Sequence, residues 1–322
     1  MTTLISFLGK SRADASAGYR VANYRFAPNF ARKVPFFGMA LLEYAKPERL
    51  ILVGTAGSMW DVFFDHQHTD DEATLVVSDA VDRATVTPEL LRTHEEILTQ
   101  RLGMPVQCLL IPYARDSAEQ AAVLSELAVV LQPSEEIILD VTHGFRHLPM
   151  LALVAARYLT HVRGVRVQEL YYGALEMTNA ETGETPVLRL GAMLQMLDWV
   201  EALASYGQSG NYGVFADLFK TDGMPASHAD QLAKGAYFER GSNPVQARQA
   251  LGVAHKSLQS HHGAMSELFR QTLTDQIDWF RTGNRADWEF RLADRYLTRK
   301  DYLRAVIYLG DLNFEVQHSH MR

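Results

Sequence analysis

The first half of the chain contains five short runs of mostly apolar residues, separated by polar or amphipathic stretches. Such runs lack the alternation of a half-exposed strand and indicate strands buried on both faces. Helices are predicted between them, over 87–103, 116–133 and 145–162. Because buried strands that alternate with helices form parallel sheets, we predict an α/β, Rossmann-like domain with a mostly parallel sheet. The strands are predicted over 3–9, 49–58, 105–112, 135–144 and 165–176.

The pattern changes after residue 190. Helical periodicity continues from there, and no convincing strand follows. The segment 178–191 combines turn residues with a short apolar run, which predicts a last strand pair. A length of 322 residues is about twice that of a typical domain. We therefore predict an α/β domain over 1–190 and an all-α domain over 191–322.

Composition excludes several classes of protein. The 31 Lys and Arg against 38 Asp and Glu give a net charge of −7, which excludes a globally basic nucleic-acid coat but allows a local basic site. Cys108 is the one cysteine, so neither an internal disulfide nor a cysteine-based zinc cluster can form. His255, His261 and His262 lack a carboxylate at ligand spacing, so no metal and no cofactor is expected. We see no signal peptide or membrane-spanning stretch and expect a cytoplasmic protein.

Ligands of parallel α/β sheets bind at the carboxyl ends of the strands, where loops meet helix N-termini. This rule selects the loops after Gly9, Val53, Val141 and Tyr172. The first loop leads into a basic stretch with a predicted hairpin arm over 18–26. Guanidinium groups bind phosphate oxygens bidentately, so the stretch predicts a polyanionic ligand, with an ordinary solvated loop and hairpin as the alternative. Its basic residues are Lys10, Arg12, Arg20, Arg25, Arg32 and Lys33, against one acid, Asp14.

The string DVTHGFRHLP at 140–149 predicts a tight turn from a buried strand into a helix. Backbone N–H groups at a helix start, together with the helix dipole, favour an anion there. Thr142 would supply a hydroxyl, His143 a ring donor and Arg146 a charge. Gly144 would allow close backbone approach. A binding loop is predicted, and a polar surface loop is the alternative.

Two other loops carry weaker signals. The string GTAGSMWD at 54–61 has small residues that would let backbone and hydroxyl groups approach a phosphate or ribose. It matches neither the P-loop nor the dinucleotide-binding glycine pattern, and a tight strand-to-helix turn is the alternative. Tyr172 ends the last long strand, where it either contacts a ligand or packs on a neighbouring helix.

These segments together resemble a known family. FLG with the basic hairpin, GTAGSMWD, DVTHGFRHLPMLAL and YYGALE resemble the CRISPR-associated Rossmann fold (CARF) sensor domain of type III CRISPR accessory proteins. The subgroup is the one usually fused to a HEPN ribonuclease domain. The segments MLDWVEALASYGQSGNYGVFADLF and RYLTRKDYLRAVIYLGDLNFE resemble its helical half more loosely. The resemblance thus covers most of the chain.

The resemblance implies a homodimer with one shared pocket for cyclic oligoadenylate. A ring of identical AMP units can present the same face to each protomer of a two-fold dimer. Carried over by position, the ligand-binding residues are Gly9, Lys10, Ser11, Arg12, Thr55, Ala56, Gly57, Ser58, Thr142, His143, Gly144, Phe145, Arg146 and Tyr172.

The resemblance also implies metal-independent cleavage of single-stranded RNA by an Arg-x4–6-His motif. The arginine would stabilise the phosphorane charge and the histidine would move a proton. In relatives the motif lies close to the C-terminus, where His318, His320 and Arg322 stand here in the wrong order. Arg248 and His255, two helical turns apart, are the spacing match and the predicted catalytic pair. The alternatives are a solvated helix face, a motif beyond residue 322, and a degenerate HEPN domain.

Three functions therefore remain open. The chain is a ribonuclease activated by cyclic oligoadenylate, a sensor of this messenger without nuclease activity, or a ring nuclease that degrades the messenger in the CARF pocket. A Rossmann dehydrogenase is the rival at the level of the fold, and the missing glycine fingerprint argues against it.

Overall fold

The computed structural model describes residues 1–9, 21–67, 71–144 and 147–319, and for Asp71 and residues 311–319 it describes the backbone alone. The chain divides into two compact units, Met1–Leu194 and Gln195–Arg322. Within the described ranges, no helix is both long enough and apolar enough to cross a membrane.

An eight-stranded sheet built from the described residues forms the centre of the first unit. Its strands are β1 Thr2–Phe7, β2 Ala22–Ala27, β3 Phe30–Val34, β4 Arg49–Gly54, β5 Val106–Leu110, β6 Glu136–Asp140, β7 Arg166–Gly173 and β8 Glu184–Arg189. Their order is β3-β2-β8-β7-β6-β1-β4-β5. The five strands from β7 to β5 are parallel, whereas β8 runs antiparallel to β7 and β3 antiparallel to β2. The predicted mostly parallel α/β sheet is confirmed.

Six helices cover this sheet, among the residues described. They are α1 Phe37–Ala45, α2 Trp60–His66, α3 Asp71–Asp82, α4 Pro88–Leu102, α5 Ser117–Val130 and α6 His147–Arg163. Asp116 or Ser117 is the predicted cap of α5, and Asp116 is the one that caps it, by accepting the Glu119 N–H at 2.9 Å. Gly103 ends α4 in the left-handed region, with φ at 64°. Helices α1 to α3 were not predicted.

Both faces of the sheet are buried, which explains the continuous apolar runs. Leu4 packs in the cluster beneath α1 to α4, whereas its neighbour Ile5 packs in the cluster beneath α5 and α6. Leu50 and Ile51 on β4 divide in the same way. Successive side chains of a strand point to opposite faces, so a strand covered on both sides is mostly apolar on both of its faces.

The described residues after Arg189 contain helices and no strand, as predicted for the C-terminal part. The helices are α7 Gly191–Ser209, α8 Ala216–Thr221, α9 Ala226–Arg240, α10 Pro244–Ser260, α11 Ser266–Ile277, α12 Arg285–Thr298 and α13 Tyr302–Ser319, with 3₁₀ turns at Tyr212–Phe215 and Asp278–Phe280. Large aromatic side chains, among them Trp199, Phe215 and Tyr296, form the core of this unit.

Candidate functional site

The carboxyl ends of β7, β6, β1, β4 and β5 lie side by side at one edge of the sheet. Backbone hydrogen bonds join the loops that follow β1 and β4. Leu8 N–H donates to the Val53 carbonyl at 2.7 Å, and Met59 N–H donates to the Gly9 carbonyl at 2.9 Å. All four loops that the sequence selects therefore belong to this one edge, as expected for adjacent parallel strands.

Gly9 and Gly144 bring the loops after β1 and β6 into backbone contact. A methyl group on Gly9 would lie 2.8 Å from the Gly144 nitrogen, too close for a real side chain. Gly144 has φ at 120°, a conformation that residues with a Cβ rarely adopt. Both positions therefore require glycine. Because Gly144 is partly exposed and has no side chain, its backbone faces the solvent at this point.

Thr142 and His143 hold the loop after β6 in place. The Thr142 hydroxyl oxygen accepts the Gly173 N–H at 2.8 Å and so joins the ends of β6 and β7. His143 Nε2 accepts the Phe37 N–H at 3.1 Å, at the start of α1. The sequence assigns His143 a ring donor toward the ligand, whereas this nitrogen is an acceptor toward a helix N-terminus. Burial lowers the pKa of His143 to about 4, so the ring is neutral at pH 7.

Asp140, which the sequence analysis left out, lies beneath this loop at the end of β6. It is completely buried. Its carboxylate accepts the Ser6 hydroxyl at 2.6 Å and the Thr142 N–H at 2.9 Å. Burial raises the pKa of Asp140 to about 6, although both hydrogen bonds act in the opposite direction. Asp140 thus supports Thr142 from within the sheet.

Thr55 and Ser58 lie inside the loop after β4, with exposed fractions of 0% and 1%. The Ser58 hydroxyl donates to the Leu8 carbonyl at 3.0 Å and accepts the Thr55 N–H at 2.9 Å. These hydroxyls therefore shape the loop and tie it to β1. Ala56 is the partly exposed residue of the segment, so a ligand would meet the backbone here. The assignment of residues 55–58 to a ligand stays a prediction.

Tyr113 and His147 extend this edge and were missed by the sequence analysis. Tyr113 follows β5, and its hydroxyl lies 2.8 Å from where a Cβ on Gly57 would stand, so it covers the buried Gly57. His147, exposed at the start of α6, has Nε2 2.9 Å from the Tyr113 carbonyl oxygen. The Arg115 guanidinium lies 5.8 Å from the centre of the Tyr113 ring. Tyr113 lies just beyond the carboxyl end of β5, so the strand-end rule that selects the other loops also selects this one.

Of the remaining predicted ligand-binding residues, the structure describes only Tyr172. Tyr172 is half-buried, and its hydroxyl donates to Glu176 at 3.0 Å. Lys10, Ser11, Arg12, Phe145 and Arg146 lie outside the described residues.

The basic stretch is not gathered at the strand ends as a whole, contrary to expectation. Arg25, Arg32 and Lys33 lie on the β2–β3 hairpin, which β7 and β8 separate from β6. Arg25 forms an ion pair with Glu184, and Arg32 forms one with Glu43. Because acids neutralise these two arginines, they add little positive potential to the site.

Arg248 and His255 both lie on α10 but in different surroundings. Arg248 is exposed, with its guanidinium 4.9 Å from the centre of the Trp288 ring. His255 is only 6% exposed, which excludes a solvated helix face for this residue. Its Nε2 is buried and has no hydrogen-bond partner among the described residues. Burial and the nearby Arg281 lower the pKa of His255. Their catalytic role stays a prediction.

His261 and His262 each face a carboxylate. His261 Nε2 lies 3.7 Å from Asp222, and His262 Nδ1 lies 3.7 Å from Glu267. In the described part of the chain, no three His, Cys, Asp or Glu side chains are placed to hold a metal ion together.

Comparison with known proteins identifies a relative in an archaeon. CRISPR-associated protein MJ1674 of Methanocaldococcus jannaschii is 24% identical over 246 residues, which cover 69% of this chain and 39% of that protein. The chain therefore spans about two fifths of the length of this curated relative.

A family model also matches the first unit of the chain. The model of the CARF domain of CRISPR system endoribonuclease Csx1 matches residues 3–176, more than half of the chain. The match includes β1, β4, β5, β6 and β7 and so contains every loop of the edge described above. The chain therefore belongs to the family of CARF-domain accessory proteins of type III CRISPR systems.

Proposed function

We propose that this chain binds cyclic oligoadenylate at the carboxyl edge of its sheet and, once activated, cleaves single-stranded RNA through its helical unit. The observation that carries the proposal is the convergence of the loops after β1, β4 and β6 at one edge of a CARF domain. The 17-residue helix α6 begins at this edge, where helix N–H groups and the dipole favour phosphate.

Two copies of the chain would share this ligand. Met150 and Val154 lie one turn apart on α6 and are 73% and 56% exposed. Exposed apolar side chains that form a stripe favour association with another surface. Since α6 begins at His147, close in sequence to the loop 141–144, a second copy docked along α6 would bring its own loops to the same symmetric ring.

The helical unit would supply the cleavage step. A histidine that is neutral at pH 7 can accept a proton from the ribose 2′-hydroxyl, and the lowered pKa of His255 favours that form. An arginine near the scissile phosphate would stabilise its developing negative charge. Arg248 and His255 are the candidates for these roles, with no metal or cofactor involved.

Incubation of the protein with labelled single-stranded RNA, with and without cyclic tetra- or hexa-adenylate, tests the proposal. We expect cleavage that needs the cyclic ligand, persists in a metal chelator and is lost in Arg248→Ala and His255→Ala. Absence of binding to either cyclic ligand would refute the sensor role. Binding without RNA cleavage would refute the nuclease role alone.

A sensor without nuclease activity is the second candidate, and the burial of His255 favours it. In that case the helical unit passes the signal to a partner protein. A ring nuclease is separated from both by recovery of the cyclic ligand, since only a ring nuclease would return it as linear products.

A further inference from the structure

A surface cavity of about 550 Å³ lies in the helical unit between the 3₁₀ turn Tyr212–Phe215 and helix α9. This volume falls within the range of about 300–1,000 Å³ that is typical of small-ligand sites. Neither Arg248 nor His255 lines it. Gly213 and Ala233 are the small residues of its lining, and a Cβ on Gly213 would lie 3.2 Å from the Ala233 Cα, so the turn and the helix meet closely at this point.

Tyr237 is the most prominent side chain of this cavity. It is 75% exposed, although tyrosine is a large and partly apolar residue. Ala233, Tyr237 and Arg240 follow each other at helical spacing and therefore lie on one face of α9. Among the described residues, the Tyr237 ring contacts one other ring, that of Phe238 at 5.5 Å. Most of the ring is thus available to a flat partner.

Polar groups on two sides complete the cavity. Arg240 donates one N–H to the Ser209 carbonyl at 2.9 Å, and the guanidinium has further donors. Among the ion pairs of the described residues none includes Arg240. The nearby Asp301, whose carboxylate is attracted to the charge of Arg240, pairs with Arg304. The side-chain oxygen of Asn211 accepts the Gly213 N–H at 3.1 Å. The amide NH₂ group of Asn211 takes no part in this hydrogen bond.

An aromatic face, an arginine and an amide around a volume of this size are the groups that recognise a nucleotide. Bases stack on aromatic rings without requiring a particular sequence, and arginine binds phosphate. We infer that this cavity holds one nucleotide of a single RNA strand, with the base on Tyr237, the base edge at Asn211 and a phosphate at Arg240. The inference rests on the proposed RNA function and adds a binding subsite apart from the predicted catalytic pair.

RNA affinity of the full chain tests the subsite. The probe is a fluorescein-labelled single strand with 2′-O-methyl groups, which resists cleavage through the 2′-hydroxyl, titrated by anisotropy in the presence of cyclic tetra-adenylate. Tyr237→Ala should bind it roughly tenfold more weakly, and Tyr237→Phe should bind like the wild type. Arg240→Gln should lower the slope of log affinity against log salt by about 0.7. Tyr302→Ala, at a tyrosine that is 61% exposed and does not line the cavity, is the matched control.

The outcomes separate this inference from the proposed function. Equal RNA affinity of the wild type and Tyr237→Ala overturns the subsite and leaves the proposed function standing. No RNA binding by the wild type overturns both the subsite and the nuclease role. A change of sedimentation coefficient in Tyr237→Ala at unchanged RNA affinity identifies a protein-binding surface and also overturns the subsite.

Discussion

Asp140 and His143 are three residues apart and carry opposite pKa shifts with the same cause. Burial raises the pKa of Asp140 to about 6 and lowers that of His143 to about 4. In both residues the neutral form is favoured because a charge loses its hydration inside the protein. The neutral form of His143 is also required by its contact, since Nε2 can accept the Phe37 N–H only without a proton.

We expect these two shifts to oppose each other in the pH dependence of stability. Between about pH 4 and 6 the folded chain keeps a proton on Asp140 that an unfolded aspartate has released, so Asp140 makes the free energy of unfolding fall as the pH rises. Between about pH 4 and 6.5 an unfolded histidine binds a proton that His143 does not, so His143 makes the free energy of unfolding rise with pH.

Single substitutions should separate the two effects. From pH 4 to 6 the free energy of unfolding should rise more steeply in Asp140→Asn than in the wild type, and less steeply in His143→Gln. Urea denaturation at half-unit pH steps measures both slopes. His228→Gln, at an exposed histidine, controls for the loss of an imidazole. Parallel slopes in the wild type and both site variants would contradict the assignment.

The Thr142 hydroxyl matters because it accepts the backbone N–H of Gly173, a buried residue. Thr142→Val has the same shape and leaves the Gly173 N–H unpaired, which should lower the free energy of unfolding by about 1–3 kcal/mol. Thr142→Ser keeps the oxygen and should cost less. Thr160→Val is the control, since that hydroxyl only donates to Ala156 within its own helix. Equal losses in Thr142→Val and Thr160→Val, measured by urea denaturation, would refute this role.

At the scale of elements, the buried strands were predictable and three helices were not. A strand covered on both faces is mostly apolar without alternation, and this signal is local. Helix α1 buries Phe37, Gly38, Ala40 and Leu41 within nine residues and lacks the polar face that marks an amphipathic helix. Helix α2 has seven residues, which is too short for a clear period.

The candidate site, like the helices, could be predicted only as far as local sequence patterns reach. The strand-end rule placed the loops at one edge because it depends only on chain direction. The contacts of Thr142 and His143 join residues 31 and 106 positions away, which no local pattern encodes. Roles of individual side chains therefore required the three-dimensional structure, whereas the meeting of these loops at one edge did not.

The contact between the loops after β1 and β6 should tolerate no side chain at Gly9. In Gly9→Ala the new methyl group meets the Gly144 backbone at 2.8 Å, and backbone cannot rotate away as a side chain can. We expect a loss of about 1–3 kcal/mol in the free energy of unfolding and weaker binding of cyclic oligoadenylate. Gly207→Ala in α7, where a methyl group meets no atom within 4 Å, should instead stabilise by about 0.5–1 kcal/mol. Unchanged stability of Gly9→Ala in thermal denaturation would contradict the tight contact.

At the scale of the whole molecule, each of the two units has its own apolar core. The chain also carries a separate natural probe in each unit. Cys108, the one cysteine, is a buried free thiol on β5 of the first unit. Three of the four tryptophans, Trp199, Trp279 and Trp288, lie in the helical unit. Thiol labelling therefore follows unfolding of the first unit, and tryptophan fluorescence mainly follows the second.

These probes allow binding of the proposed cyclic oligoadenylate to be assigned to one unit of the intact chain. A ligand that binds only the folded first unit, present at 100 times its Kd, should raise the free energy of unfolding at Cys108 by about 2.7 kcal/mol. The tryptophan transition should shift less, because only Trp60 reports on the first unit. Urea titrations with pulsed thiol labelling and fluorescence measure both, with linear AMP at equal concentration as the control. Equal shifts of the two transitions would show that the units unfold as one, and a shift of the tryptophan transition alone would place the ligand in the helical unit.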